Sequence, residues 1–165
     1  MHGRIFVIDT KEDMQNRGYF YEAPWEYYEM VHFIPGCDYV VREGENRFKD
    51  NCMRFAEEYS LKFGEDIWLE QVETNGEEFQ VAVVKVAPLS EALKKEKLKR
   101  LERIKEELEK PDPDMWRIQY EAWTDSGFWF VIPEYRFGPE MELLEWLEKE
   151  SPEEIFITEV FDYHI

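Results

Sequence analysis

The sequence predicts an α+β fold, a mostly antiparallel sheet carrying helices, on three observations. Two short apolar runs, "RIFVID" and "IFITEVF", lie near the two ends of the chain. Asn75-Gly76 separates two apolar segments, the signal for a two-residue β-hairpin. Apolar residues recur at helical period between residues 46 and 63, and again in a narrower stripe between 89 and 110. The predicted order is β-α-α-β-β-α-β-β-α-β, an order that ferredoxin-like βαβ units would satisfy. With 165 residues, 44% of them hydrophobic and 16% aromatic, the chain is long and apolar enough for one domain spanning 1–165.

In "RIFVID" four consecutive apolar residues, three of them β-branched, predict a buried first strand. "KEDMQNRG" reads as a polar loop. Pro24 suits a first helical position and Pro35-Gly36 a stop, so a helix is predicted over 24–34 with Tyr27, Met30, Val31 and Ile34 inward. From Asn46 to Phe63, Phe48, Cys52, Phe55, Ala56, Tyr59 and Phe63 form a wide stripe, with Gly64 as the expected C′ residue. A two-residue turn at Asn75-Gly76 sets Trp68 opposite Val83 and Val72 opposite Phe79 on one face. On the other it sets Ile67 opposite Val84 and Leu69 opposite Ala82. Both faces are apolar, which predicts a central hairpin covered on each side.

"LSEALKKEKLKRLERIKEELEK" predicts a long helix with Ser90 as N-cap, ended by "PDPD". "MWRIQYEAW" and "FWFVI" read as a second hairpin turning at Asp125-Ser126-Gly127. Pro139 opens a helix over "PEMELLEWLEKE", and Ser151-Pro152-Glu153-Glu154 has capping-box spacing. "IFITEVF" is the last strand.

The formal charge of −18 is the most unusual property of the chain. It is polarised. Residues 89–110 hold eight Lys or Arg against six Glu, whereas 1–88 hold nine basic against eighteen acidic residues and 121–165 hold two against twelve. Such a field repels phosphates, which argues against direct nucleic-acid binding and against an anionic membrane surface. No stretch approaches 18 continuous apolar residues, and "MHGRIFVIDT" lacks a long apolar run, so a cytoplasmic protein, neither secreted nor membrane-spanning, is expected. The two cysteines form no C-x-x-C pair, and Cys52 lies on a core stripe as an inert thiol.

Catalytic signatures are few. The chain has no G-x-x-x-x-G-K-[ST], no G-x-G-x-x-G and no G-x-S-x-G. His2, His32 and His164 have no oriented partner in sequence, and no cofactor is expected. One enzymatic alternative is a metal-dependent hydrolase or phosphoesterase built on strand-end carboxylates, with Asp9 joined by Glu70 or Glu121. A second alternative is a structural or oligomeric protein using Leu98, Leu101 and Leu108 of the long helix as an interface.

The leading expectation rests on rows of carboxylates. Glu142, Glu145 and Glu148 follow at i, i+3 and i+6, and Glu22, Glu26 and Glu29 at i, i+4 and i+7, with Tyr21 and Trp25 beside the latter. Like charges at this spacing slightly destabilise a free helix. They suit a partner groove lined with Lys and Arg, where aromatics also meet guanidinium groups. In composition alone the chain resembles the acidic inhibitors of phages and mobile elements that imitate DNA, and small acidic immunity proteins that neutralise toxins. That resemblance implies a non-enzymatic inhibitor whose partner is a basic protein surface, such as that of a nucleic-acid-binding protein.

Overall fold

β1 (His2–Asp9) alternates between two apolar layers. Phe6 and Ile8 join the larger core cluster, while Ile5 and Val7 join a second cluster on the opposite face. The computed structural model describes residues 2–16, 30–74, 76–123, 127–134 and 136–165. Its other strands are β2 (Tyr39–Arg42), β3 (Ile67–Thr74), β4 (Glu77–Lys85), β5 (Phe128–Ile132), β6 (Arg136–Gly138) and β7 (Glu154–His164). The helices are α1 (Lys11–Asn16), α2 (Glu45–Glu58), α3 (Val86–Leu108), α4 (Met115–Trp123) and α5 (Glu140–Glu150), and residues 30–33 are also helical.

All seven strands form one mixed sheet in the order β3-β4-β7-β1-β5-β6, with β2 also pairing β7. The fold is α+β. β1 and β5 run parallel, and the other five pairings are antiparallel. Helices α2, α3 and α5 cover one face around Phe6, Phe55, Phe130 and Trp146. The opposite face is filled by Met30, Ile34, Trp129, Phe161 and Tyr163 in one cluster, and by Met14, Val81, Val83 and Phe156 in another.

β7 holds this arrangement together and contains its main irregularity. Its pairing with β1 slips between Val7 and Ile8, so Glu159 lies opposite Val7 but Ile157 opposite Ile8. One extra residue reverses the inward parity of a strand. Ile155 and Ile157 therefore share the helix-covered core with Val160, while Phe156, Phe161 and Tyr163 face the other layer.

The register of the β3–β4 hairpin matches the expectation, including Trp68 opposite Val83 and Ile67 opposite Val84, with Gly76 at φ +79°. The hairpin is not central, however. β3 is the edge strand, and only β4 has neighbours on both sides.

Five other expectations are corrected. "KEDMQN" is helical because Thr10 and Asp13 form a capping pair: the Asp13 N–H donates to Thr10 Oγ1 at 3.1 Å and the Thr10 hydroxyl to Asp13 Oδ2 at 2.7 Å. α2 ends at Glu58 rather than reaching Phe63. Ser60 takes the left-handed position at φ +53°, and the Leu61 N–H donates to the Ala56 carbonyl at 2.8 Å, a Schellman stop placed before Gly64. α3 starts at Val86, with Pro88 in its first turn, where a missing N–H costs nothing. "MWRIQYEAW" is helix α4 and not a strand, because its flank packs on α3. Ser151 caps the end of α5 at φ +47° and starts no new helix. Of the helix predicted over 24–34, only residues 30–34 are described, with Met30 and Ile34 buried as expected.

Candidate functional site

α5 is amphipathic. Leu143, Leu144, Trp146 and Leu147 are buried at helical spacing, which turns Glu142, Glu145 and Glu148 to the outer side. Their side chains are 42%, 71% and 50% exposed, and each approaches a cation of the same chain. Arg136 Nη2 donates to Glu142 Oε2 at 2.6 Å and lies 3.7 Å from Glu145 Oε1, while Lys94 Nζ lies 3.5 Å from Glu148 Oε1. The Glu142 hydrogen bond raises the pKa of the Arg136 guanidinium, which stays charged. Exposed pairs of this kind contribute little to stability. The row is therefore a solvated face whose carboxylates can change partner at little cost. Tyr21, Glu22, Trp25, Glu26 and Glu29 lie outside the described residues.

The three carboxylates of the metal alternative have separate settings. The Thr158 hydroxyl donates to Asp9 Oδ2 at 2.5 Å, the Trp68 indole N–H to Glu70 Oε1 at 2.8 Å, and Arg103 Nε to Glu121 Oε2 at 2.8 Å. Glu121 stands on helix α4, not on a strand. Glu70 lies exposed on the edge strand. Among the described residues no three His, Cys, Asp or Glu side chains gather as a metal site, and no helix is long and apolar enough to cross a membrane.

The two sides of the long helix differ in character. Leu98, Leu101 and Leu108 are 62%, 52% and 57% exposed, and on α4 Trp116 and Tyr120 are also outside. The inward side buries charge instead. Arg100 Nη2 donates to Glu140 Oε2 at 2.5 Å, and the Tyr59 hydroxyl donates to Glu140 Oε1 at 2.7 Å. This network ties α2, α3 and α5 together. At the far end of α3, Glu107 accepts from Lys110 Nζ at 2.5 Å and from the Asp114 N–H at 3.1 Å, closing the "PDPD" turn.

Two features were illegible in sequence. His2 and His164 are register partners on β1 and β7, with ring centroids 4.9 Å apart. Each has a carboxylate partner, Asp162 and Asp38 respectively, at 3.0 Å, and Tyr39 stacks on His164. No periodicity reports a contact between residues at opposite ends of the chain. Cys52 is fully buried, and burial pushes its thiol up to about 12. Cys37 is half-buried and its pKa is also raised, first by desolvation.

The other feature is a cleft of about 900 Å³, where the sheet divides. β7 pairs with β4 as far as Ile157 and with β2 from Phe161 onward. Thr158, Glu159 and Val160 lie between the two and form the floor of the cleft. One wall is the end of the β3–β4 hairpin, and the other is Glu43 and Gly44 with the first turn of α2 as far as Phe48.

No family model, no curated protein and no solved structure matches this chain. The functional reading therefore rests on charge and geometry.

Proposed function

We propose that this chain is a non-enzymatic acidic binding protein that engages a basic protein surface, in the manner of an inhibitor filling a groove that would otherwise hold nucleic acid. The observation that carries this reading is the −18 charge combined with the outward row Glu142, Glu145 and Glu148 on α5. A cationic groove would find carboxylates roughly one helical turn apart, with weak internal partners to displace. Charge of one sign over a surface also speeds the encounter with an opposite field. Exposed Trp116 and Tyr120 add aromatic faces suited to guanidinium groups.

The test is binding of the intact chain to nucleic-acid-binding proteins across a salt series, with and without competing nucleic acid. The reading expects affinity to fall steeply with salt, nucleic acid to compete, and Glu145→Lys/Glu148→Lys to weaken binding at least tenfold. Binding that ignores salt, or that coexists with nucleic acid, sinks it.

A further inference from the structure

The division of the sheet leaves a strand edge open inside the molecule. Residues 82–85 of β4 pair with β7, but residues 77–81 pair only with β3, and their other edge has no strand partner among the described residues. That edge borders the 900 Å³ cleft, at the upper end of the range of about 300–1,000 Å³ typical of ligand pockets. An unpaired edge presents N–H and C=O groups ready for another strand. Five residues at about 3.4 Å each make an edge of roughly 17 Å, enough for a short extended segment.

We propose that this cleft binds an extended basic peptide of a partner protein, which adds to β4 as a strand. Main-chain pairing would supply generic affinity, and alternate side chains of the peptide would read the walls. The walls choose the charge. Glu45, Glu77 and Glu78 line the cleft and make no ion pair with the described residues. Glu43, by contrast, is already bridged to Arg4 at 3.5 Å and Arg47 at 3.8 Å, and Glu159 to Arg42 at 2.5 Å. Glu77 and Glu78 are consecutive on β4 and face opposite sides of the sheet, so lysine or arginine on either set of peptide positions meets a carboxylate, while Phe48, Phe79 and Val160 offer apolar contact. The bulge in β7 lies at this floor, and bulges are frequent next to functional sites. The cleft shares no residue with the outward row of α5, so this site stands apart from the surface proposed above.

The test selects a displayed library of random eight-residue peptides on the intact chain, then synthesises the enriched sequence. Enrichment of lysine or arginine is expected, on both alternating sets of positions. N-methylation of one alternating set of backbone nitrogens should weaken binding at least tenfold, and of the other set less than twofold. Glu77→Lys/Glu78→Lys should weaken it at least tenfold, whereas Glu145→Lys/Glu148→Lys should leave it within twofold. No enrichment of basic peptides, an equal response to the two methylation sets, or full binding by Glu77→Lys/Glu78→Lys overturns the proposal. The methylation series uses the wild-type chain, so its outcome does not depend on the folding of any variant. Loss of peptide binding only in the α5 variant would overturn it too, by assigning capture to the α5 face.

Discussion

Adding one methyl group to Gly3 should damage the fold more than most single substitutions do. Gly3 faces Tyr163 across the β1–β7 pair, and the Tyr163 ring lies over the glycine. A Cβ at position 3 would fall on the ring, at Cζ, Cε1 and Oη, well inside the 3.0 Å that real Cβ atoms keep. Tyr163 is 3% exposed, so the ring has no solvent to swing into, and its hydroxyl donates to the Gly127 carbonyl at 3.0 Å. Overpacking costs about 1–3 kcal/mol. Losing that hydrogen bond adds about 1 kcal/mol. The expected total for Gly3→Ala is thus about 2–4 kcal/mol, which at about 2–4 °C per kcal/mol lowers Tm by roughly 4–16 °C. Urea unfolding followed by circular dichroism measures it directly. The same change in a Tyr163→Leu background should cost at least about 1 kcal/mol less, because the clashing atoms are gone. A second readout is the tyrosine titration. Burial pushes Tyr163 up to about 12, and a displaced ring should titrate nearer its ordinary value of 10.0. If Gly3→Ala lies within about 0.5 kcal/mol of wild type, the size of a neutral surface change, or costs the same in both backgrounds, the ring contact is not what requires glycine.

Other outcomes follow from the buried charges and thiols. Arg100→Met leaves Glu140 buried with only the Tyr59 hydroxyl of its two hydrogen-bond donors, and should cost about 3–5 kcal/mol in urea unfolding. Arg100→Met/Glu140→Leu should recover most of that loss, and an equal loss in the double variant would contradict the pairing. Glu107 has its pKa lowered, first by the Lys110 hydrogen bond. Its stabilisation is therefore complete above about 4.5 and is lost as pH falls through the lowered value. Glu107→Gln should melt lower than wild type at pH 6, with a gap that narrows as pH falls below about 4.5, and a constant gap would refute the linkage. A thiol reagent should modify Cys37 in the folded chain and reach Cys52 only in denaturant, as a timed count of reacted thiols will show. Leu101→Lys, at a site 52% exposed, should shift stability by less than about 0.5 kcal/mol. Sedimentation of that variant beside wild type then reports whether the outer leucines of α3 hold copies together.

Local chemistry carried far in this chain. The stripe of Phe48, Cys52, Phe55 and Ala56 names the buried face of α2, because period 3.6 and burial are the same fact in an amphipathic helix. Asn75-Gly76 sets the whole β3–β4 register, since a two-residue turn leaves no freedom in the pairs that follow. The outward glutamates of α5 were legible for the same reason, once its apolar residues had chosen their side. Short-range rules failed where a competing cap or a neighbour decided. Thr10 and Asp13 made a helix of a polar stretch, and packing on α3 made a helix of aromatic "MWRIQYEAW".

What no window of residues contains is which strand lies beside which. The sequence by itself determined most of the elements, the negative charge and the inward face of α2, all set by neighbours a few positions away. Only the tertiary structure put Tyr163 over Gly3, His2 against His164, and the open edge of β4 beside α2. Those contacts join residues far apart in the chain. They form only when β7 takes β1 along one edge and shares the other between β4 and β2.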